Sequence, residues 1–364
     1  MQDYTIIPAP ATLRPLDGAF AWKSDLVDYA AHPAYAGLVA NAGVAEKASA
    51  LASYAGRFAL LLTKRLIRYE MIPYEFRKAQ TWGERAGFVM SGLRNALRLG
   101  NDRAQTAPTP ILGVLEAGGC AVVAMPPSRM AELNALAKPC FDELEARRGR
   151  KANRRAFDES RATADRRTTP ELFALIETIF AESGVSDAAN AYMGRKARLI
   201  DVNPQINDPS DSFWRDIFDD MGDGQALPRT AYFHRDASGG DLKLIIYCSD
   251  VDAKTGPFSY AVGSNRMKIS RIDDLLAEAN DHNGLSATDL PTRARFAALP
   301  AKLRQKGSFG NDLRDDAPES AAISNSVWQI EAPRGSMVLF DTKGIHRGGM
   351  VDQGERRVIT CVIG

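Results

Sequence analysis

The sequence predicts an α+β protein with a mainly β core, a sandwich or jelly roll, flanked by helices and preceded by a largely helical extension. Three observations carry that expectation. Apolar residues recur at helical spacing between positions 45 and 99. From about position 197 the chain breaks into short β-rich runs separated by Gly and Asp turns. The 364 residues are 45% hydrophobic and 25% charged, an ordinary globular balance that excludes a disordered chain, a collagen-like repeat or a disulfide-stapled miniature.

The elements follow in order. Residues 1–40 are mixed, interrupted by Pro8, Pro10 and Pro15. In the helical stretch, Leu51, Tyr54, Phe58, Leu61, Leu62 and Leu66 form the expected apolar stripe, and Pro73 and Gly83 divide it into two or three helices. Residues 101–110 read as a linker. Residues 111–125 read as a strand, a Gly turn and a second strand. Ser128 is placed to cap a helix from Arg129 to Arg147. The charged stretch 147–167 reads as exposed. Thr169-Pro170-Glu171 starts another helix, with Leu172, Leu175, Ile176 and Ile179 on one face. Strands are expected at 198–203, 230–236, 243–248, 258–262, 327–330, 336–340 and 357–363. A polar, helix-prone insertion occupies about 267–325. The domain division is thus a helical extension over 1–105 and a β domain over 106–364.

Composition narrows the function classes. With 46 basic and 45 acidic residues the net charge is +1, so no nucleic-acid partner is expected. No apolar run reaches the ~20 residues that a spanning helix requires, and no secretory signal is visible at the start. Cys120, Cys140, Cys248 and Cys361 show no C-x-x-C spacing, which fits a reducing cytoplasm better than a zinc ribbon. Residues 57–103 hold ten basic and four acidic residues, either a solvated helix face or a peripheral dock for an anionic partner or membrane surface.

Phosphate-binding, dinucleotide-binding, serine-hydrolase and zincin motifs are all missing. Chemistry therefore falls to the four histidines, His32, His234, His282 and His346. His234 and Asp236 lie two apart in an expected strand, so both side chains point to one face. They form two-thirds of a 2-His-1-carboxylate metal site, which leaves three cis positions open on a ferrous ion. His346, after the apolar run 336–340, is the candidate third ligand. Alone the His-x-Asp pair is weak, since roughly 0.5 such matches arise by chance. His32 and His282 read as surface residues, with His282 placed where an insertion can reach the substrate. Trp214 and Trp328 read as core or sheet-face residues.

The surrounding order of motifs adds to this. Phe233-His-Arg-Asp236, Tyr247 to Asp252 leading into Thr255-Gly-Pro-Phe258, Val262-Gly-Ser-Asn265, Gly335 to Asp341, Ile345-His346 and Gly354 to Ile359 occur in sequence, and Gly119 to Val123 matches an opening strand. Over about 112–364 the chain resembles the phytanoyl-CoA dioxygenase-like family of Fe(II)/2-oxoglutarate-dependent oxygenases. The resemblance implies a double-stranded β-helix and a small-molecule substrate. It implies iron bound by His234, Asp236 and His346, with 2-oxoglutarate as cosubstrate, O2 as oxidant, and succinate and CO2 as products. It also implies a basic residue on the last strand that clamps the distal carboxylate of 2-oxoglutarate, a role suited to the planar fork of Arg. The family pattern Gly-x-Arg-x-x-Ile aligns Arg356, whereas counting from His346 favours Arg357. Arg356 is taken, because loop length varies more easily than strand phase.

Departures from the family pattern are Asn265 for a His, Ala261 for a Pro, and Gly348 where some relatives carry a hydroxyl. None falls on an implied metal ligand. Lys243, Ile245 and Tyr247 share one face. Lys243 is expected at a sheet edge, and Tyr247 either in the core or against the cosubstrate. The carboxylate of Asp236 fills the place that related halogenating enzymes leave to chloride, so hydroxylation is the implied outcome. The insertion and the N-terminal helices are expected to wall the substrate pocket.

Overall fold

A computed structural model of the chain describes residues 4–18, 20, 37, 39–66, 83, 109–148, 161–194, 196–209, 233–236, 241–267, 272, 275, 276, 279, 294, 295, 297–304 and 318–364. The chain divides into two compact units. One comprises Met1–Trp22, Thr106–Lys268 and Asp312–Ile363; the other comprises Lys23–Gln105 and Ile269–Asn311 with Gly364.

The second unit contains α1 (Val44–Leu66). Among its described side chains Ala50, Tyr54 and Leu61 are buried, spaced by four and seven, while Leu51 and Leu62 are exposed. Over these residues the seam leaves out two members of the expected stripe and takes in Ala50. Most of the basic stretch 57–103 lies outside the described residues, as do His32, His282, Trp214 and most of the insertion.

The first unit carries β1 (Thr5–Ile7), α2 (Pro110–Gly118), β2 (Cys120–Ala124), α3 (Pro127–Arg148), α4 (Pro170–Glu182), α5 (Val185–Met193), β3 (Leu199–Asn207), β4 (Leu242–Tyr247), β5 (Ser259–Ala261), β6 (Val327–Gln329), β7 (Ser336–Asp341), β8 (His346–Arg347) and β9 (Arg356–Ile363). The strands form two antiparallel sheets, a larger one in the order β1-β2-β7-β4-β9-β3 and a smaller one in the order β6-β5-β8. Strand alternation gives the larger sheet two buried faces. Leu244, Leu339 and Ile359 join a core with Leu115, Leu133 and Ile176 of the helices. Tyr247, Val338, Phe340 and Val358 point the other way and meet Tyr260 and Trp328 of the smaller sheet. The chain is thus α+β with a β core.

Several expectations need correction. Residues 110–118 form a helix, not a strand. Thr109 accepts a hydrogen bond from the Leu112 amide at 3.1 Å, Pro110 opens the first turn, and Gly119 closes the helix in the left-handed region (φ 79°) with its amide on the Leu115 carbonyl. These cap signals outweigh the β-prone composition between them. Ser128 lies inside the first turn of α3, which begins one residue earlier. Within the charged stretch, Ala162 and Ala164 are buried, because their amides bond the Pro204 and Val202 carbonyls at 2.9 Å.

The same bonds explain why β3 runs through Pro204. Its missing N–H lies on the side facing Ala162, away from β9, so no bond to β9 is lost. β1 is an unforeseen strand that lines the edge of the larger sheet. The helix at 170–182 buries Leu172, Ile176 and Ile179 as expected. Trp328 is buried in the core between the sheets. Of the strand expected over 230–236, residues 233–236 are described, and His234 there forms an isolated antiparallel bridge with His346.

At Gly119 a Cβ would meet the Tyr260 hydroxyl and the Asn265 amide. The left-handed backbone alone disfavours Ala by about 1–2 kcal/mol. Gly119→Ala is expected to lower unfolding free energy by roughly 2 kcal/mol or more, read from the urea midpoint at constant m-value.

Candidate metal centre

Backbone pairing builds the site. The His234 amide donates to the His346 carbonyl at 2.9 Å, and the His346 amide returns the bond to the His234 carbonyl at 2.9 Å. In an antiparallel pair this reciprocal exchange sets two residues directly opposite, with both side chains on one face. The two imidazoles accordingly lie 4.5 Å apart between ring centroids. Two residues on, the Asp236 amide donates to the Thr342 carbonyl at 3.0 Å, which brings its carboxylate back to the same face.

The donor atoms of His234, Asp236 and His346 all lie within 4.8 Å of one another. Asp236 Oδ1 is 3.9 Å from His234 Nε2, and Oδ2 is 3.5 Å from His346 Nε2. Both imidazoles are buried. His346 packs among Phe258, Tyr260 and Phe340, and its Nδ1–H donates to the Gly344 carbonyl at 2.9 Å. A carbonyl only accepts, so Nδ1 carries a proton, and the bond turns Nε2 toward the site. Burial pushes the Asp236 carboxyl up, but the Lys243 ammonium and the two imidazoles outweigh it and hold the carboxyl well below the usual range. Two imidazole nitrogens and one carboxylate oxygen gathered on one face suit Fe(II).

The adjacent arginines of β9 part company. Alternation sends Arg357 to the helical side, where it stacks over Phe141 and pairs with Glu145 and Glu355 at 2.5 Å. Arg356 points into the space between the sheets and is buried. Its Nη2 donates to Asn207 Oδ1 at 3.2 Å, its Nε has no partner, and it makes no ion pair among the described residues. Burial lowers its pKa, opposed by the nearby Tyr247. A buried guanidinium in this state calls for an anion.

Tyr247 itself belongs to the core. Its hydroxyl donates to the Ile330 carbonyl at 3.0 Å and accepts the Phe258 amide at 3.2 Å. Lys243 is not at a sheet edge. It sits on the central strand β4, opposite Phe340 and Val362, and its Nζ donates to Asp236 Oδ2 at 2.6 Å. Sequence reasoning also missed Gly344. The signal is its place two residues before the His, where its carbonyl can reach the imidazole.

No protein-family model matches the chain, and no curated protein matches it. Solved structures similar to it include the non-heme alpha-ketoglutarate-dependent carbocyclase SnoK from nogalamycin biosynthesis, at 14% identity over 72% of this chain and 86% of that one, with a TM-score of 0.43. EctD from S. alaskensis, crystallised with 2-oxoglutarate and 5-hydroxyectoine, is 12% identical over 73% and 78% of the two chains, with a TM-score of 0.43. HygX from Streptomyces hygroscopicus, with nickel and 2-oxoglutarate bound, is 14% identical over 71% and 87%, with a TM-score of 0.37. No helix among the described residues is long and apolar enough to cross a membrane.

A Cβ on Gly344 would overlap the Tyr260 hydroxyl and ring, so Gly344→Ala must shift the carbonyl that orients His346. Binding of Mn(II), followed by its EPR signal, is expected to weaken by about tenfold or more, the usual scale for loss of an orienting partner.

Proposed function

We propose that this chain is an Fe(II)- and 2-oxoglutarate-dependent oxygenase, a relative of the phytanoyl-CoA dioxygenase-like enzymes. It hydroxylates an unactivated C–H bond of a small-molecule, lipid or glycan-type substrate and releases succinate and CO2. The observation that carries the reading is the triad of His234, Asp236 and His346, brought together from distant segments, with the guanidinium of Arg356, which makes no ion pair among the described residues, buried between the same two sheets. The two facing sheets are taken as the double-stranded β-helix of that family. The unpaired cysteines keep a cytoplasmic location as the expectation.

In this reading His234, Asp236 and His346 hold the iron, and the iron with O2 supplies the oxidising chemistry. The chain supplies position. His346 is fixed by Gly344, and its Nε2 faces the metal. Arg356 orients the cosubstrate by donating its guanidinium N–H groups to the distal carboxylate. The buried aromatic wall of Phe258, Tyr260 and Phe340 keeps water from one side of the His346 imidazole. Asp236 keeps its carboxylate on the metal, which favours hydroxylation over halogenation.

The test is succinate formation from 2-oxoglutarate after anaerobic iron loading and admission of air. His234→Ala and Asp236→Ala are expected to abolish it, and wild-type-like turnover in either would remove the iron assignment. No decarboxylation by the unaltered protein, with metal bound, would favour a non-catalytic ligand-binding protein instead. Arg356→Leu is expected to raise the half-saturating 2-oxoglutarate concentration by about tenfold to a hundredfold, since a buried charge-assisted pair contributes about 1.5–3 kcal/mol. Arg357→Leu should leave it within about twofold. A reversed ranking would move the clamp to Arg357.

A further inference from the structure

We propose that Lys243 is a positioning residue of the metal centre: its ammonium occupies Asp236 Oδ2 and leaves the acid one oxygen to give. The inference rests on the iron and 2-oxoglutarate reading above. Three observations carry it. Lys243 lies on the central strand β4, flanked by β7 and β9, so its backbone is fixed on both sides. Its face of the strand is the one that carries Tyr247 into the space between the sheets. Its Nζ reaches Asp236 Oδ2 at 2.6 Å, closer than either imidazole comes to that carboxylate. Among the described residues no lysine or arginine reaches Oδ1, the oxygen that lies 3.9 Å from His234 Nε2.

The consequence is chemical. A carboxylate with both oxygens free can close on a metal through two atoms and fill one of its open positions. With Oδ2 held by an ammonium, Asp236 gives a single oxygen, and the three-ligand set keeps three positions for a chelating keto acid and O2. The ammonium also serves as countercharge for the carboxylate before metal enters, so the acid stays aimed at the two imidazoles. Once metal is bound, the same positive charge opposes the cation and attracts the anionic cosubstrate. Lys243 therefore exchanges metal affinity for cosubstrate affinity.

Mn(II) titration by EPR, then calorimetric titration of 2-oxoglutarate into the Mn(II)-loaded full chain, tests this in Lys243→Met and Lys243→Arg. In Lys243→Met, Mn(II) is expected to bind about tenfold more tightly, because a like charge within a few ångströms of the metal is gone. 2-Oxoglutarate is expected to bind about tenfold more weakly. Lys243→Arg should restore both. Packing damage alone loosens a metal site, so tightening is a signature that a structural role would not give. Lys243→Gln, which keeps a donor but no charge, carries the same test should Lys243→Met fail to fold. Mn(II) affinity unchanged or lowered, or 2-oxoglutarate affinity unchanged, overturns the Lys243 inference and leaves the metal centre standing. Absence of Mn(II) binding by the unaltered protein removes the metal reading itself.

Discussion

The reciprocal pair of backbone hydrogen bonds between His234 and His346 is the constraint on which the site depends. Each is 2.9 Å long. They join a short segment before β4 to the two-residue strand β8, and they fix the relative height of two imidazoles that no local propensity would bring together. Everything else at the centre is referred to that pair. Asp236 is placed two residues beyond one histidine and bonded at its amide to Thr342, four residues before the other. Slippage of the pairing by one residue would turn one imidazole to the opposite face. The site thus borrows its precision from β pairing rather than from side-chain packing.

That pairing is itself held from behind. The Asp341 amide bonds the Gly119 carbonyl, Tyr192 donates to Asp341 Oδ2 at 2.6 Å, and the Ile345 amide bonds Ser264 Oγ at 2.7 Å. The turn between β7 and β8 is therefore tied to α5, to the C-terminus of α2 and to the loop after β5. Asn265 belongs to this support, since its amide donates to the Tyr192 hydroxyl at 3.1 Å. A residue that departs from the resembled family's motif acts here in the frame that holds the site.

Much of the β core is legible in the sequence because its runs are apolar on both faces and bounded by Gly, Asp and Pro. β4, β7 and β9 fall within a residue or two of their expected limits. The His-x-Asp spacing is legible for the same reason, since a period of two places both side chains on one face. The helix at 110–118 is not, because its nine residues are rich in β-compatible Val, Leu and Ile and its identity lies in the caps at Thr109 and Gly119. Lys243 is not legible either. Nothing local marks a lysine on an apolar strand as interior; its role comes from Asp236, which reaches it only through the fold.

The fates of Arg356 and Arg357 show how far strand phase alone reaches toward chemistry. One step along β9 separates a cation stacked over an aromatic ring and paired with two glutamates from a buried cation that meets no acid among the described residues. Among the described residues between the sheets, Lys243 and Arg356 bring two positive charges against the negative charge of Asp236. A divalent metal raises that excess by two. A dicarboxylate cosubstrate removes two, which restores the charge of the empty centre. Metal and cosubstrate thus support each other electrostatically: the metal supplies the field that draws the dianion, and the dianion makes a metal beside two fixed cations tolerable. On the proposed reading, the buried Arg356 and the half-buried Lys243 together make binding of the two cooperative.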